Sequence, residues 1–171
     1  MEYFELIQTR HSTRAFDGRD VEEEKLRCVL EAASRAPSAG NMQAYDIYIV
    51  RDVRKRSALA RAAGAQGFIL TAPISLVFVA SPERNCEDYG ERGRSLYAIQ
   101  DATIACTFAM LAAVNVGLAT VWTGSFDPDQ VRTLLGAPAE ATPVSILPLG
   151  YANAAPEIRD RRPLEETIHI L

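Results

Sequence analysis

The order of segments along the 171 residues predicts an α+β or mixed α/β domain, a mixed sheet flanked by helices and built around a buried central helix. Three observations lead there. Residues 95–117 are almost uncharged and apolar all round, as in a helix covered on every side. Residues 74–80 form a continuous apolar run rich in β-branched side chains, suited to a strand buried on both faces. Amphipathic helical stretches and further short apolar runs alternate with these two. The length makes one domain, 1–171, and 48% hydrophobic with 23% charged residues is an ordinary globular composition with material for a sizeable core.

Each element has its own warrant. Tyr3, Leu6 and Ile7 share one helical face, so residues 2–9 are expected as a short helix, with a loop after it. Asp20 and Glu23 have capping-box spacing, and the stripe of Leu26, Val29, Leu30 and Ala33 predicts a helix that stops before Pro37. Residues 36–43 are dense in turn formers. Residues 45–50 read as a strand, and Asp52 caps a helix to about Ala62 that Gly64 closes. Pro73 introduces the strand 74–80, after which residues 81–94 turn polar and charged and are expected as a connecting loop with Cys86 at or near its surface. The run 95–117 either spans a membrane or forms a core helix; Gln100, Asp101, Thr103, Thr107 and Asn115 interrupt it, and its alanines suit close packing, so it is expected as the spine of the fold. Residues 118–122 read as a short strand. Asp127, Pro128 and Gln130 then start a helix with cap, N1 proline and capping-box partner, ending at Gly136. Residues 144–149 are the last long strand, and residues 167–170 look like a terminal strand far from any neighbour, of the kind that pairs with another chain.

Charge and composition exclude several classes. A net charge of -4 argues against a general nucleic-acid binder. Cys28, Cys86 and Cys106 form no CxxC pair and two histidines are too few for the usual zinc spacings, so no metal centre is expected. Cys28 and Cys106 fall inside helical stretches, which suits a reducing cytoplasm, and residues 1–5 lack the basic start and apolar run of a signal peptide.

What remains is a local basic site. Arg10-His11-Ser12-Thr13-Arg14 places two guanidinium groups and two hydroxyls within five residues, a donor set that matches phosphate. A second cluster, Arg159-Asp160-Arg161-Arg162, lies near the other end, and Asn41 and Gln43 bring amides to the 36–43 loop.

In these motifs the sequence resembles the FMN-dependent nitroreductase family. The likeness runs through residues 10–17, Pro37-Ser38-Ala39-Gly40-Asn41-Met42-Gln43, the alanine-rich helix after Asp101 that ends in Gly117-Leu118, Leu147-Pro148-Leu149-Gly150-Tyr151, and residues 161–166. The resemblance implies an obligate homodimer with two FMN sites at the interface and a C-terminal strand exchanged between protomers. It further implies that Arg10, Ser12 and Arg14 hold the phosphate, ribityl chain and pyrimidine end of the flavin, with His11 contributing its backbone and Arg159 and Arg161 closing on the phosphate. Pro37, Ser38, Asn41 and Gln43 would reach the same flavin from the partner chain, and Thr123 and Gly124 would lie along its ring, where a backbone N–H meets N5. By the same likeness, NADH or NADPH gives hydride to the flavin, Arg14 balances the charge that develops, no side chain acts as nucleophile, and a nitroaromatic, quinone or free flavin accepts the electrons in ping-pong order. Cys28 and Cys106 are then core residues. A specialised flavin-dependent reductase, or an FMN-binding module without turnover, is the alternative; residues 81–94 are short where longer relatives cover the substrate pocket.

Overall fold

The computed structural model describes residues 2–155, 157, 158 and 160–171. Its sheet has four strands, β1 (Tyr45–Val50), β2 (Ile74–Ala80), β3 (Ala119–Thr120) and β4 (Thr142–Gly150), in the order β1-β2-β4-β3. All the strand pairs are antiparallel, with Tyr45 opposite Ala80, Leu76 opposite Leu147 and Thr120 opposite Leu149. The expected mixed sheet is thus antiparallel among its named strands, and its parallel element is a single bridge between Ser12 and Thr120.

Helices cover both faces. On one side lie α2 (Glu23–Ser34) and α6 (Ala98–Asn115); on the other lie α3 (Val53–Ala62), the single turn α4 (Phe68–Thr71) and α7 (Pro128–Leu135). Strand β2 shows why its sequence is apolar throughout. Ile74, Leu76, Phe78 and Ala80 point into the core under α2 and α6, whereas Val77 and Val79 point into the second core under α3 and α7. Leu76, Phe78, Leu147 and Leu149 are fully buried, each contributing roughly 1.5–3 kcal/mol relative to exposure.

Local chemistry sets most boundaries. The Asp52 carboxylate accepts from the Lys55 amide (2.9 Å) at the start of α3, and Asp127 accepts from the amides of Asp129 and Gln130 (both 3.0 Å) at the start of α7. Gly136 ends α7 with a left-handed φ of 64°. Helix α2 departs from expectation. It starts at Glu23 behind Glu22, with no side-chain cap, and Asp20 lies outside it.

In the spine α6, Ala98, Ala102, Ala105, Ala109 and Ala113 are wholly buried, a stripe of small residues that lets α2 and the sheet approach closely. Residues 83–115 are long and apolar enough to cross a bilayer by length and composition. Within the single chain the spine is nevertheless not covered on every side, because Ile99 and Phe108 are exposed. Neither side chain belongs to either of this chain's own cores.

Three further expectations are corrected. Residues 81–94 contain a helix, α5 (Glu83–Arg92), broken at Gly90, and it enters α6 through a π-turn over Gly93–Tyr97. Cys86 there is half-buried and takes a bond from Arg94 (3.2 Å). Cys28 is exposed rather than in the core, whereas Cys106 is buried. Residues 167–170 are exposed and form no strand in the lone chain; a short 3-10 turn, Leu164–Glu166, precedes them.

Candidate functional site

The N-terminal motif follows helix α1 (Tyr3–Thr9) and runs along the free edge of β3. The Thr13 N–H donates to the Thr120 carbonyl (3.0 Å), which turns Thr13 inward and leaves Ser12 and Arg14 on the outer side. Two residues on, the segment changes partner. Phe16 bridges Ala152, the Asp17 N–H donates to Tyr151 (3.1 Å), and the Asn153 N–H donates to Ala15 (2.9 Å). This short ladder ties the beginning of the chain to the stretch that leaves β4. Gly150 makes the closeness possible, because a Cβ there would meet Pro73 at 2.7 Å and Phe16 at 3.2 Å. Tyr151 is fixed on its far side by the Arg19 guanidinium over its ring (3.6 Å) and by Lys25 and Glu22 at its hydroxyl (2.7 and 2.5 Å). The hydroxyl bond from Tyr151 holds Glu22 below the usual carboxylate range.

The ladder brings the two basic clusters together. Arg10, His11, Ser12 and Arg14 line one cleft of about 220 Å³ with Glu157, Asp160 and Arg161. Arg159 lies outside the described residues. Among the described residues no carboxylate pairs with Arg10, Arg14 or Arg161, in contrast to Arg27, Arg51, Arg84, Arg94, Arg132 and Arg162. Three guanidinium groups and a serine hydroxyl around one small cleft form a donor set suited to a phosphate monoester.

The second group sits apart. Pro37 and Ser38 line a different cleft, of about 490 Å³, with Ala39, Tyr97, Gln100, Asp101, Thr103 and Ile104. Here the backbone is tightly wound, with left-handed φ at Gly40 (53°), Asn41 (59°) and Gln43 (49°). The Ser38 hydroxyl accepts from the Gln43 N–H (3.0 Å), and the Gln43 side chain donates to the Asn41 carbonyl (3.1 Å). Gln43 also borders an open groove with Cys28 and Arg35. In a single chain, therefore, Pro37, Ser38, Asn41 and Gln43 do not meet the arginine cleft.

Thr123 and Gly124 differ in what they offer. The Thr123 N–H and carbonyl both pair with Ile146 (3.0 and 2.9 Å), so its backbone is committed to the sheet, while its buried hydroxyl has no partner among the described residues. Gly124 is exposed, and its N–H has no backbone acceptor among the described residues. A Cβ at that position would sit 3.1 Å from the Trp122 indole nitrogen.

Several residues around the 36–44 loop were not singled out from the sequence. Asp101, the lone carboxylate in the spine helix, is buried and accepts from the amides of Ala39 (2.9 Å) and Ala44 (3.2 Å) and from Asn85 Nδ2 (3.1 Å). An acid in an otherwise uncharged helix was the available signal. Asn85, Arg84 and Tyr89 come from α5, in the segment read as a loop, and carried none.

The Nitroreductase family model matches residues 7–66 and 60–151. Over 93% of its length the chain is 31% identical to a protein of Thermus thermophilus named NADH dehydrogenase, covering 91% of it. It is 28% identical over 98% of its length to the FMN reductase [NAD(P)H] of Bacillus subtilis, covering 73% of that protein. The structure of the NADPH:FMN oxidoreductase of Vibrio harveyi complexed with NAD+ superposes with a TM-score of 0.89 at 28% identity, over 98% of this chain and 76% of that one. A match that takes in both the arginine segment and the last strand, on a backbone this similar, places the chain in the nitroreductase family.

Proposed function

We propose that the protein is an FMN-dependent oxidoreductase that works as a homodimer, taking electrons from NADH or NADPH and giving them to a small acceptor such as a nitroaromatic, a quinone or free flavin. The observation that carries this reading is the convergence on one cleft of Arg10, Arg14 and Arg161, from opposite ends of the polypeptide, none of them paired with a carboxylate among the described residues. The names of the Bacillus and Vibrio relatives support the same cofactors.

The donor set fits the group. Arg10 and Arg161, with Arg159 beside them in sequence, would hold the phosphate, and the Ser12 hydroxyl and His11 backbone would meet the ribityl chain. Arg14, exposed at the outer edge of the segment, would keep a positive charge at the pyrimidine end, where negative charge accumulates on reduction. The exposed N–H of Gly124, rather than the committed one of Thr123, would face N5. When bound, the flavin supplies the hydride chemistry; the side chains orient and balance charge, and none is needed as nucleophile.

Pro37, Ser38, Asn41 and Gln43 of the partner subunit would complete the site, since within one chain they line another cleft. The exposed apolar residues support a partner: Tyr3 and Phe4 on α1 (62% and 72% exposed), Ile99 and Phe108 on α6, and Ile168 and Ile170 in the tail. The tail would find there the strand neighbour it lacks. Residence in the cytoplasm belongs to the same proposal, supported by three free thiols.

The test is reconstitution with FMN, followed by steady-state oxidation of NADH and NADPH with and without a nitroaromatic. A yellow dimer showing parallel double-reciprocal lines is expected. Bleaching by the nicotinamide with no reoxidation by any acceptor would identify a binding module instead, and a colourless protein that takes up no flavin would end the proposal.

A further inference from the structure

We infer that Asp101 is a positioning residue for the cofactor loop. Its buried carboxylate, braced by α5, brackets residues 39–44 and holds Gly40, Asn41 and Gln43 in their left-handed conformation before any flavin arrives. The inference rests on the reading of the site given above, and it assigns a task to two elements that reading leaves idle, a buried acid and a short charged helix.

The geometry is that of a bracket. One carboxylate oxygen takes the Ala39 N–H (2.9 Å), at the start of the left-handed stretch, and the other takes the Ala44 N–H (3.2 Å), just past its end. Between these two bonds lie Gly40, Asn41 and Gln43, all at positive φ, a conformation that Asn tolerates but that Gln adopts only when the surroundings over-determine it. Asp101 has no cationic partner among the described residues. Its charge is met by two backbone donors and the Asn85 amide, an arrangement that is stable only while the loop keeps its N–H groups aimed at it.

Helix α5 supplies the brace. Asn85 is buried and reaches Asp101, while Arg84 donates to the carbonyls of Gln43 and Tyr45 (both 3.0 Å) and to Asp46 (2.8 Å). The Ser81 N–H donates to the Ala44 carbonyl (2.9 Å), and the Tyr89 hydroxyl stands 2.5 Å from where a Cβ on Gly40 would be. Two further close fits lock α5 itself, since a Cβ on Gly93 would meet the Asn85 carbonyl at 2.3 Å and the Tyr89 Cβ at 2.7 Å. The segment that looked like spacer is a strut between the spine and the loop.

The test compares Asp101→Asn, Asp101→Glu and a core control, Val131→Ala, on the buried side of α7 in the other core. An amide at position 101 sets a donor against one of three donors, so D101N should release the loop. In protein as purified, hydrogen exchange at the amides of Ala39 and Ala44 should speed up at least tenfold in D101N, with the amides of β2 unchanged. FMN should bind ten- to a hundredfold more weakly, and D101E should recover part of both. V131A, though destabilised, should keep loop exchange and FMN affinity as they were. Unchanged exchange at Ala39 and Ala44, or an equal loss of FMN in V131A, would overturn the inference. Should D101N fail to fold, Arg84→Met, at an exposed position, should still raise loop exchange several-fold, and its failure to do so would also overturn it. If the unaltered protein binds no FMN, the functional proposal falls, and loop exchange alone decides the role of Asp101.

Discussion

Replacing Arg10 with alanine should weaken FMN binding by about one to two decades while leaving riboflavin binding unchanged. The magnitude follows from the lining of the cleft, where three guanidinium groups outnumber the carboxylates of Glu157 and Asp160. A charge-assisted hydrogen bond contributes roughly 1.5–3 kcal/mol, and about 1.4 kcal/mol corresponds to tenfold in affinity. Arg10 is half-buried and Arg161 is exposed, so water screens Arg161 more, and its loss should fall at the lower end of the range. The assay is quenching of flavin fluorescence on titration with R10A, R161A and the double variant, run with FMN and with riboflavin. Because both arginines would serve one phosphate, the double variant should depart from the sum of the singles by about 0.5 kcal/mol or more. Equal losses for FMN and riboflavin, or no loss in either single variant, would refute the reasoning.

Other outcomes follow from the same structure. Gly40→Ala forces a side chain into left-handed backbone and against Tyr89, and should lower stability in urea unfolding by about 1–2 kcal/mol; adding Tyr89→Phe should relieve the contact but not the backbone penalty. Phe108→Asp puts a charge on the open face of α6 and should halve the mass of the proposed dimer measured by light scattering; an unaltered mass would count against that face as the interface. Iodoacetamide at pH 8 should label Cys28 first and Cys86 more slowly. It should leave Cys106, whose thiol is pushed up to about 12 by burial, unlabelled until the protein unfolds, as peptide mass spectrometry would show.

Where a residue carries its own local chemistry, the sequence was readable. Strands β1 and β2 and helices α3 and α7 lie where hydrophobic pattern, Asp52, Pro73 and the Asp127-Pro128 pair put them. Cys28 was misjudged although the pattern contained the answer, since it lies off the stripe of Leu26, Val29 and Ala33. Helix α5 was hidden because its residues are charged and Gly90 interrupts them; what holds it are partners in the 36–46 segment, invisible to local reading. The start of α2 lacked the cap that its sequence advertised. At the site, the arginine cluster was legible as chemistry, but its meeting with Arg161 depends on the pairing of residues 15–17 with 151–153. The role of Asp101 depends on backbone amides that no side-chain pattern records.

That pairing divides the polypeptide by task. The last residue in either core is Leu149, and past Tyr151 every described residue is exposed. Whatever makes the body fold therefore precedes the stitch, and Arg161 comes after it. A chain interrupted between the two would be a sound body missing one jaw of its phosphate claw. Damage at the first ten residues and damage in the tail, although remote in the gene, should present as the same defect: a stable protein that lets its pigment go.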